Sequence, residues 1–167
     1  DSTDASGNYS VIKLLTGTYT VYVTPPSTLN LIPFNTTIGV TQGETTSLNI
    51  TLLTGGIVRG FALNETGGPV LSANLSLQGP VSRTMLSGPN GIYSFLGLPN
   101  GTYNLTAYSP LGANLLPFNT SFNLVQGQEI LLNITMATGG VLQGVVKDEQ
   151  GNAVESAFVT LRGPVNK

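Results

Sequence analysis

The chain has 167 residues, 40% of them hydrophobic but only 8% charged, with a formal net charge of -2. Disordered chains show the opposite balance of few apolar and many charged groups, so a packed core is expected, with solubility resting on 13 Ser, 21 Thr and 15 Asn. The absence of Cys excludes disulfides and thiolate metal sites and the absence of His removes the commonest general base, while no basic face invites nucleic acid and no apolar run approaches the length of a membrane span.

In chain order, the first segments are GNYSVIKLLTGTYTV at 7–21, PFNT at 33–36, QG at 42–43, LNIT at 48–51 and TGG at 54–56. The same series returns 84 residues later without a gap: GTY at 101–103, PFNT at 117–120, QG at 126–127, LNIT at 132–135 and TGG at 138–140. GPV at 79–81 likewise returns at 163–165. Over the 83 overlapping positions (167 − 84), 33 are identical. Internal repetition at a fixed period marks a tandem array. Gly pairs between apolar runs punctuate structure, so the TGG junctions divide the chain into 1–54, 55–138 and 139–167. The middle segment is one whole unit, and the outer two are complementary parts of another.

Within 55–138 the pattern is period two, with frequent turns and no helical run. Val58, Gly60 and Ala62 alternate with other positions before a turn at Asn64–Gly68. Ala73, Leu75 and Leu77 share one face, Tyr93 and Phe95 follow the turn Pro89-Asn90-Gly91, and Tyr103, Leu105 and Ala107 continue the alternation. Phe122 and Leu124 lead to a turn at Gln126-Gly127, and Leu132, Ile134 and Met136 close the unit. Short strands at this spacing predict a two-sheet sandwich with one face of each strand buried. The last segment, 139–167, repeats only the opening hairpin.

GIYSFLGLPNGTYNLTA at 91–107 resembles the G-x-Y-x-F-x-x-L-x-x-G-x-Y-x-L signature of carboxypeptidase regulatory-like domains. GVLQGVVKDEQGNAVESAFVTL at 140–161 is similar to that family's opening strand and hairpin, with Ala153 where Pro is usual and Pro69 keeping it in the other copy. The segment 7–21 keeps the same frame, with Val11 for the aromatic. The resemblance covers nearly the whole chain. It implies an all-β protein of tandem, transthyretin-like sandwich repeats of about seven strands, of the kind that serve as non-catalytic accessories on secreted or surface proteins.

No catalytic constellation emerges. The acids Asp1, Asp4, Glu44, Glu65, Glu129, Asp148, Glu149 and Glu155 fall mostly in turns beside Gly, and Asp148-Glu149 within KDEQGN reads as a hairpin turn rather than a Ca²⁺ site. No Ser or Thr has a His partner. The chain is therefore expected not to be an enzyme and to need no cofactor or metal. The start at Asp1, without a Met or an apolar leader, fits a processed product or a fragment. The end at Lys167, opposite Arg83 in the repeat, suits a cut in a loop or an arbitrary boundary.

The strong chemical signal is the N-x-[ST] sequon, an acceptor for N-linked glycan. It occurs at Asn8, Asn35, Asn49, Asn64, Asn74, Asn100, Asn104, Asn119 and Asn133. Asn49, Asn74, Asn104 and Asn133 fall on the outward phase of their strands, where a glycan must sit. Dense glycan would also shield sheet edges, which otherwise invite aggregation.

The phase of the repeat points to assembly. Segment 1–54 lacks its opening hairpin, which leaves an unpaired edge and a bare apolar face. Segment 139–167 carries that hairpin, with Leu142, Val146, Val154, Ala157, Val159 and Leu161 available to bury. Complementation between copies is head-to-tail and need not close, so it generates a fibre. Covalent continuation of the repeat gives the same beads. The expected role is a structural segment of an extracellular or cell-surface filament, stalk or layer, whose partners are copies of itself and N-linked glycans. The alternative is a carbohydrate- or protein-binding accessory module, for which Tyr22 and Tyr108 are the exposed aromatic candidates. A carboxypeptidase's regulatory domain would need a zinc-binding catalytic domain that this chain does not contain.

Overall fold

The structure, a computed structural model, describes residues 1–163. It is all-β. In the first part of the chain, β1 (Gly17–Val23) pairs antiparallel with β2 (Phe34–Val40) as a two-stranded sheet. Eight further strands follow: β3 (Gly56–Asn64), β4 (Asn74–Gln78), β5 (Arg83–Leu86), β6 (Ile92–Leu98), β7 (Gly101–Tyr108), β8 (Phe118–Leu124), β9 (Glu129–Leu131) and β10 (Ile134–Met136). A single 3-10 turn at Pro89–Gly91 precedes β6.

These eight strands form two layers. One is an antiparallel sheet in the order β5-β4-β7-β8. In the other, β3 is central, antiparallel to β6 on one side and parallel to β9 and β10 on the other. The alternation predicted from sequence places the core. Val58, Ala62, Tyr93, Phe95, Ile134 and Met136 from one layer meet Leu75, Leu77, Tyr103, Leu105, Ala107 and Leu124 from the other. Tyr93 and Phe95 pack edge-to-face with ring centroids 6.0 Å apart, while Tyr103 stacks on Phe122 at the same distance. Every buried hydrophobic side chain among the described residues lies between Val58 and Met136.

About seven strands were expected in the unit, and eight segments are present because one edge strand is broken. Strands β9 and β10 pair with β3 in a common register, Ile57 opposite Glu129 and Ala62 opposite Ile134. Between them the Leu132 N–H donates to the Arg59 carbonyl at 2.8 Å. The Phe61 N–H turns instead to the side-chain Oδ1 of Asn133 at 3.2 Å. Gly60 sits at the break, where a Cβ would overlap the Leu132 carbonyl.

The outer segments differ from this pattern. Residues 48–52, whose repeats are Leu132–Met136, form no strand. The opening hairpin expected over 140–161 is reduced to its turn: among the described residues the segment has no strand, only an isolated bridge between Lys147 and Ala153. The reason is physical. A strand exists by pairing with a neighbour, and among the described residues neither segment pairs as a strand with another. Lys167, with the end of the GPV repeat, lies outside the described residues.

Candidate assembly site

Two segments, in residues 1–54 and 139–163, repeat local geometry found within residues 55–138. In the first half, the Tyr9 hydroxyl donates to the Leu48 carbonyl at 2.7 Å. Tyr93 and Leu132, 84 residues on, make the same bond in the complete unit. Likewise Tyr19 donates to the Leu15 carbonyl at 2.9 Å, as Tyr103 donates to that of Pro99 at 3.0 Å. Strands β1 and β2 repeat the pairing of β7 with β8, with Tyr19, Val21 and Val23 on the phase of Tyr103, Leu105 and Ala107. Those latter three are fully buried, whereas Tyr19, Val21 and Val23 are only half-buried. An apolar recess of about 180 Å³ lies beside this sheet, lined by Ile32, Pro33, Phe34, Thr51, Leu52 and Leu53.

The second half is a preformed turn. The Val154 N–H donates to the Val146 carbonyl at 3.0 Å and that of Asp148 to the Asn152 carbonyl at 2.9 Å. Val70 with Ala62, and Asn64 with Gly68, make the same two bonds in the complete unit. Asp148 secures the turn by accepting from the Asn152 N–H and Nδ2, and these bonds hold its carboxyl below the usual range. Ser156 and its repeat Ser72 share a left-handed backbone, with φ 59 and 57.

All six residues expected to take part in assembly are exposed: Leu142, Val146, Val154, Ala157, Val159 and Leu161. Their repeats are Val58, Ala62, Val70, Ala73, Leu75 and Leu77, all members of the core. Leu142 is 78% exposed where Val58 is 0%, and Val159 is 71% exposed where Leu75 is 0%. Leaving a Val or Leu in water forgoes ~1.5–3 kcal/mol relative to full burial. Among the described residues no hydrogen bond or bridge joins 140–162 to residues 1–54.

The joint between the first half and the complete unit was not anticipated. Asn30 Nδ2 donates to the Gly55 carbonyl at 2.7 Å, while its Oδ1 accepts from the Gly97 N–H at 2.8 Å. Gly97 has φ +65, and a Cβ there would stand 2.5 Å from the Leu31 carbonyl. A sequence signal for this joint existed: Asn30 and Asn114 recur in the repeat without being sequons. Asn114 keeps the first bond, donating to the Gly139 carbonyl at 2.6 Å. Its Oδ1 accepts no hydrogen bond among the described residues.

Of the sequon residues, Asn8, Asn35, Asn49, Asn74, Asn100, Asn104, Asn119 and Asn133 are exposed. Asn74, Asn104 and Asn119 share the outer face of the β5-β4-β7-β8 sheet. Asn64 is half-buried in its turn, with Oδ1 accepting from the Thr66 N–H, the Thr66 hydroxyl and the Gly68 N–H. Tyr22 and Tyr108 are 75% and 50% exposed. Among the described residues no three His, Cys, Asp or Glu side chains gather as a metal site, and no helix is long and apolar enough to cross a membrane. Arg59 and Glu129 form an exposed ion pair at 2.6 Å that ties β3 to β9.

No protein-family model and no curated protein matches the chain. Among solved structures it is similar to Klebsiella pneumoniae 5-hydroxyisourate hydrolase, at 19% identity over 51% of this chain and 92% of that one, with a TM-score of 0.40. It is similar to the Bacillus anthracis TIE protein at 16% identity over 74% of this chain, TM-score 0.46, and to a streptococcal ancillary pilin at 12% identity over 92%, TM-score 0.47. The matched regions span 26% of the TIE protein and 59% of the pilin.

Proposed function

We propose that this chain is a structural, non-enzymatic segment of a glycosylated extracellular filament, stalk or surface layer. It is built from 84-residue sandwich repeats of the carboxypeptidase regulatory-like type, with 55–138 a whole unit and 1–54 and 139–167 parts of others. Successive units join head-to-tail, by strand complementation between copies or by continuation of the polypeptide. One observation carries this reading: six side chains exposed between residues 142 and 161 are the repeats of six core residues. Bare apolar surface of this kind on a preformed turn is a mark of an interaction site. The exposed sequons suit the same setting, since they place sugar on the sheet face that faces away from the core.

Electron microscopy of the purified native chain tests the proposal. Rods built of sandwich-sized beads, lengthening with concentration, are the expected outcome, and glycopeptide mass spectrometry of the same material is expected to find N-glycan at exposed sequons. Isolated particles at every concentration, with unmodified Asn, would overturn it.

A further inference from the structure

We infer that Asn74 carries a glycan whose first sugar lies over Tyr108 and Leu86, which makes this sequon a structural site. The inference rests on the glycosylated reading proposed above and names where one of its glycans packs. In the sheet β5-β4-β7-β8, Asn74 on β4 pairs directly with Leu86 on β5 and with Tyr108 on β7. All three are exposed, Leu86 at 59% and Tyr108 at 50%. Directly opposed side chains have Cβ atoms about 4.5–5.5 Å apart, so Asn74 stands between two large apolar groups on one row of the outer face. Ser76, which completes the sequon, shares that face. In forming the link, Nδ2 gives up a proton and bonds the anomeric carbon of a sugar. A glycosyl diphosphate donor, acted on by a separate transferase, releases its diphosphate with the electrons of the broken C–O bond.

Three observations support this packing. First, the face holds nothing else apolar. The residues that share the phase of Asn74 across the four strands are otherwise Asn, Gln, Ser and Thr, with no charged group among them. Single exposed apolar side chains are common on surfaces, but Leu86 and Tyr108 are a pair that meets at one sequon. Second, the chemistry fits. A pyranose ring has a face lined by C–H bonds, which suits the electron-rich face of an aromatic ring. Its hydroxyls stay in water, so a sugar covers Tyr108 and Leu86 without leaving a new apolar patch. Third, the neighbouring sequons on this face lack that setting. Asn104 pairs with Gln78 and Ser121, and Asn119 pairs with Thr106, to whose Oγ1 its Nδ2 donates at 2.9 Å. The Asn74 side chain makes no hydrogen bond among the described residues, which leaves Nδ2 open to modification.

Glycopeptide mass spectrometry and nuclear magnetic resonance of the native glycoprotein test this, with no variant needing to fold. Glycan is expected on the peptide that bears Asn74, with nuclear Overhauser contacts between its first sugar and the Tyr108 ring. Variants made in the same cells give a second reading. Asn74→Gln is expected to lower the melting point by about 4 °C and Asn104→Gln by less than about 1 °C. Tyr108→Ser is expected to cost about twice as much in the glycosylated chain as in the Asn74→Gln chain, because only the former loses a contact between the two positions. An occupied Asn74 whose sugar makes no contact with Tyr108 would overturn the packing and leave the glycosylated reading standing. So would a bare Asn74 beside an occupied Asn104 or Asn119. Unmodified Asn at every sequon would overturn both. Contacts to Tyr108 that arise only from an added free oligosaccharide would assign the face to an external carbohydrate, and the inference would fail.

Discussion

Residues 1–54 and 85–138 are two versions of one segment, identical at 21 of 54 positions, and the structure folds them to different ends. Tyr93 is 1% exposed and Tyr9 is 42% exposed, yet each hydroxyl bonds the same carbonyl of its own copy. Val21 is half-buried where Leu105 is fully buried, although β1–β2 and β7–β8 share their register. The difference comes from β3, β4 and β5, which cover the second copy and have no counterpart over the first. Local hydrogen bonds and turns follow from local residues. Burial follows from which strands are present.

That contrast can be broken most strongly in the core. Leu105→Ala is expected to destabilise the complete unit by about 2–5 kcal/mol, the usual cost of emptying a buried leucine site. Its counterpart Val21→Ala is expected to change the stability by less than about 0.5 kcal/mol. Urea denaturation followed by tyrosine fluorescence separates the two. Gly60→Ala comes next, at about 1–3 kcal/mol, because its methyl meets a backbone carbonyl that cannot easily retreat. Gly144→Ala is expected to leave the same curve unmoved.

The smallest effect is alkaline. Burial pushes the Tyr93 hydroxyl, and less strongly that of Tyr103, above the ordinary tyrosine value. Unfolded tyrosines lose their protons from about pH 10, while the buried ones still hold theirs. The unfolded state then binds fewer protons, so stability falls as pH rises above that point, by at most about 1.4 kcal/mol per pH unit for each such group. Tyrosinate absorbance is expected to rise late and together with unfolding of the complete unit.

Much of the sandwich was legible in the residues. Alternation alone picked out Leu75, Leu77, Tyr103, Leu105 and Ala107, because a strand with one buried face has no other way to arrange its side chains. The break between β9 and β10 was not legible, since it depends on a side-chain oxygen of Asn133 standing in for a backbone carbonyl. Residues 140–161 carry a strand pattern because they repeat those of β3 and β4. Pairing, however, is a property of two segments, and a sequence pattern describes one. Asn30 lies in no sequon, and its role is a contact across 67 residues to Gly97 that no local pattern encodes.

The Asn30 joint has a mechanical consequence. The Leu31 carbonyl lies 2.5 Å from where a Cβ on Gly97 would stand, so the joint admits no side chain at that position. The repeat of Gly97 is Lys13, which has the same left-handed backbone (φ 63 against 65) but carries a Cβ. A methyl at position 97 would force the Leu31 carbonyl away, and the Asn30 side chain with it, so the coupling of residues 30–31 to β6 depends on one missing Cβ.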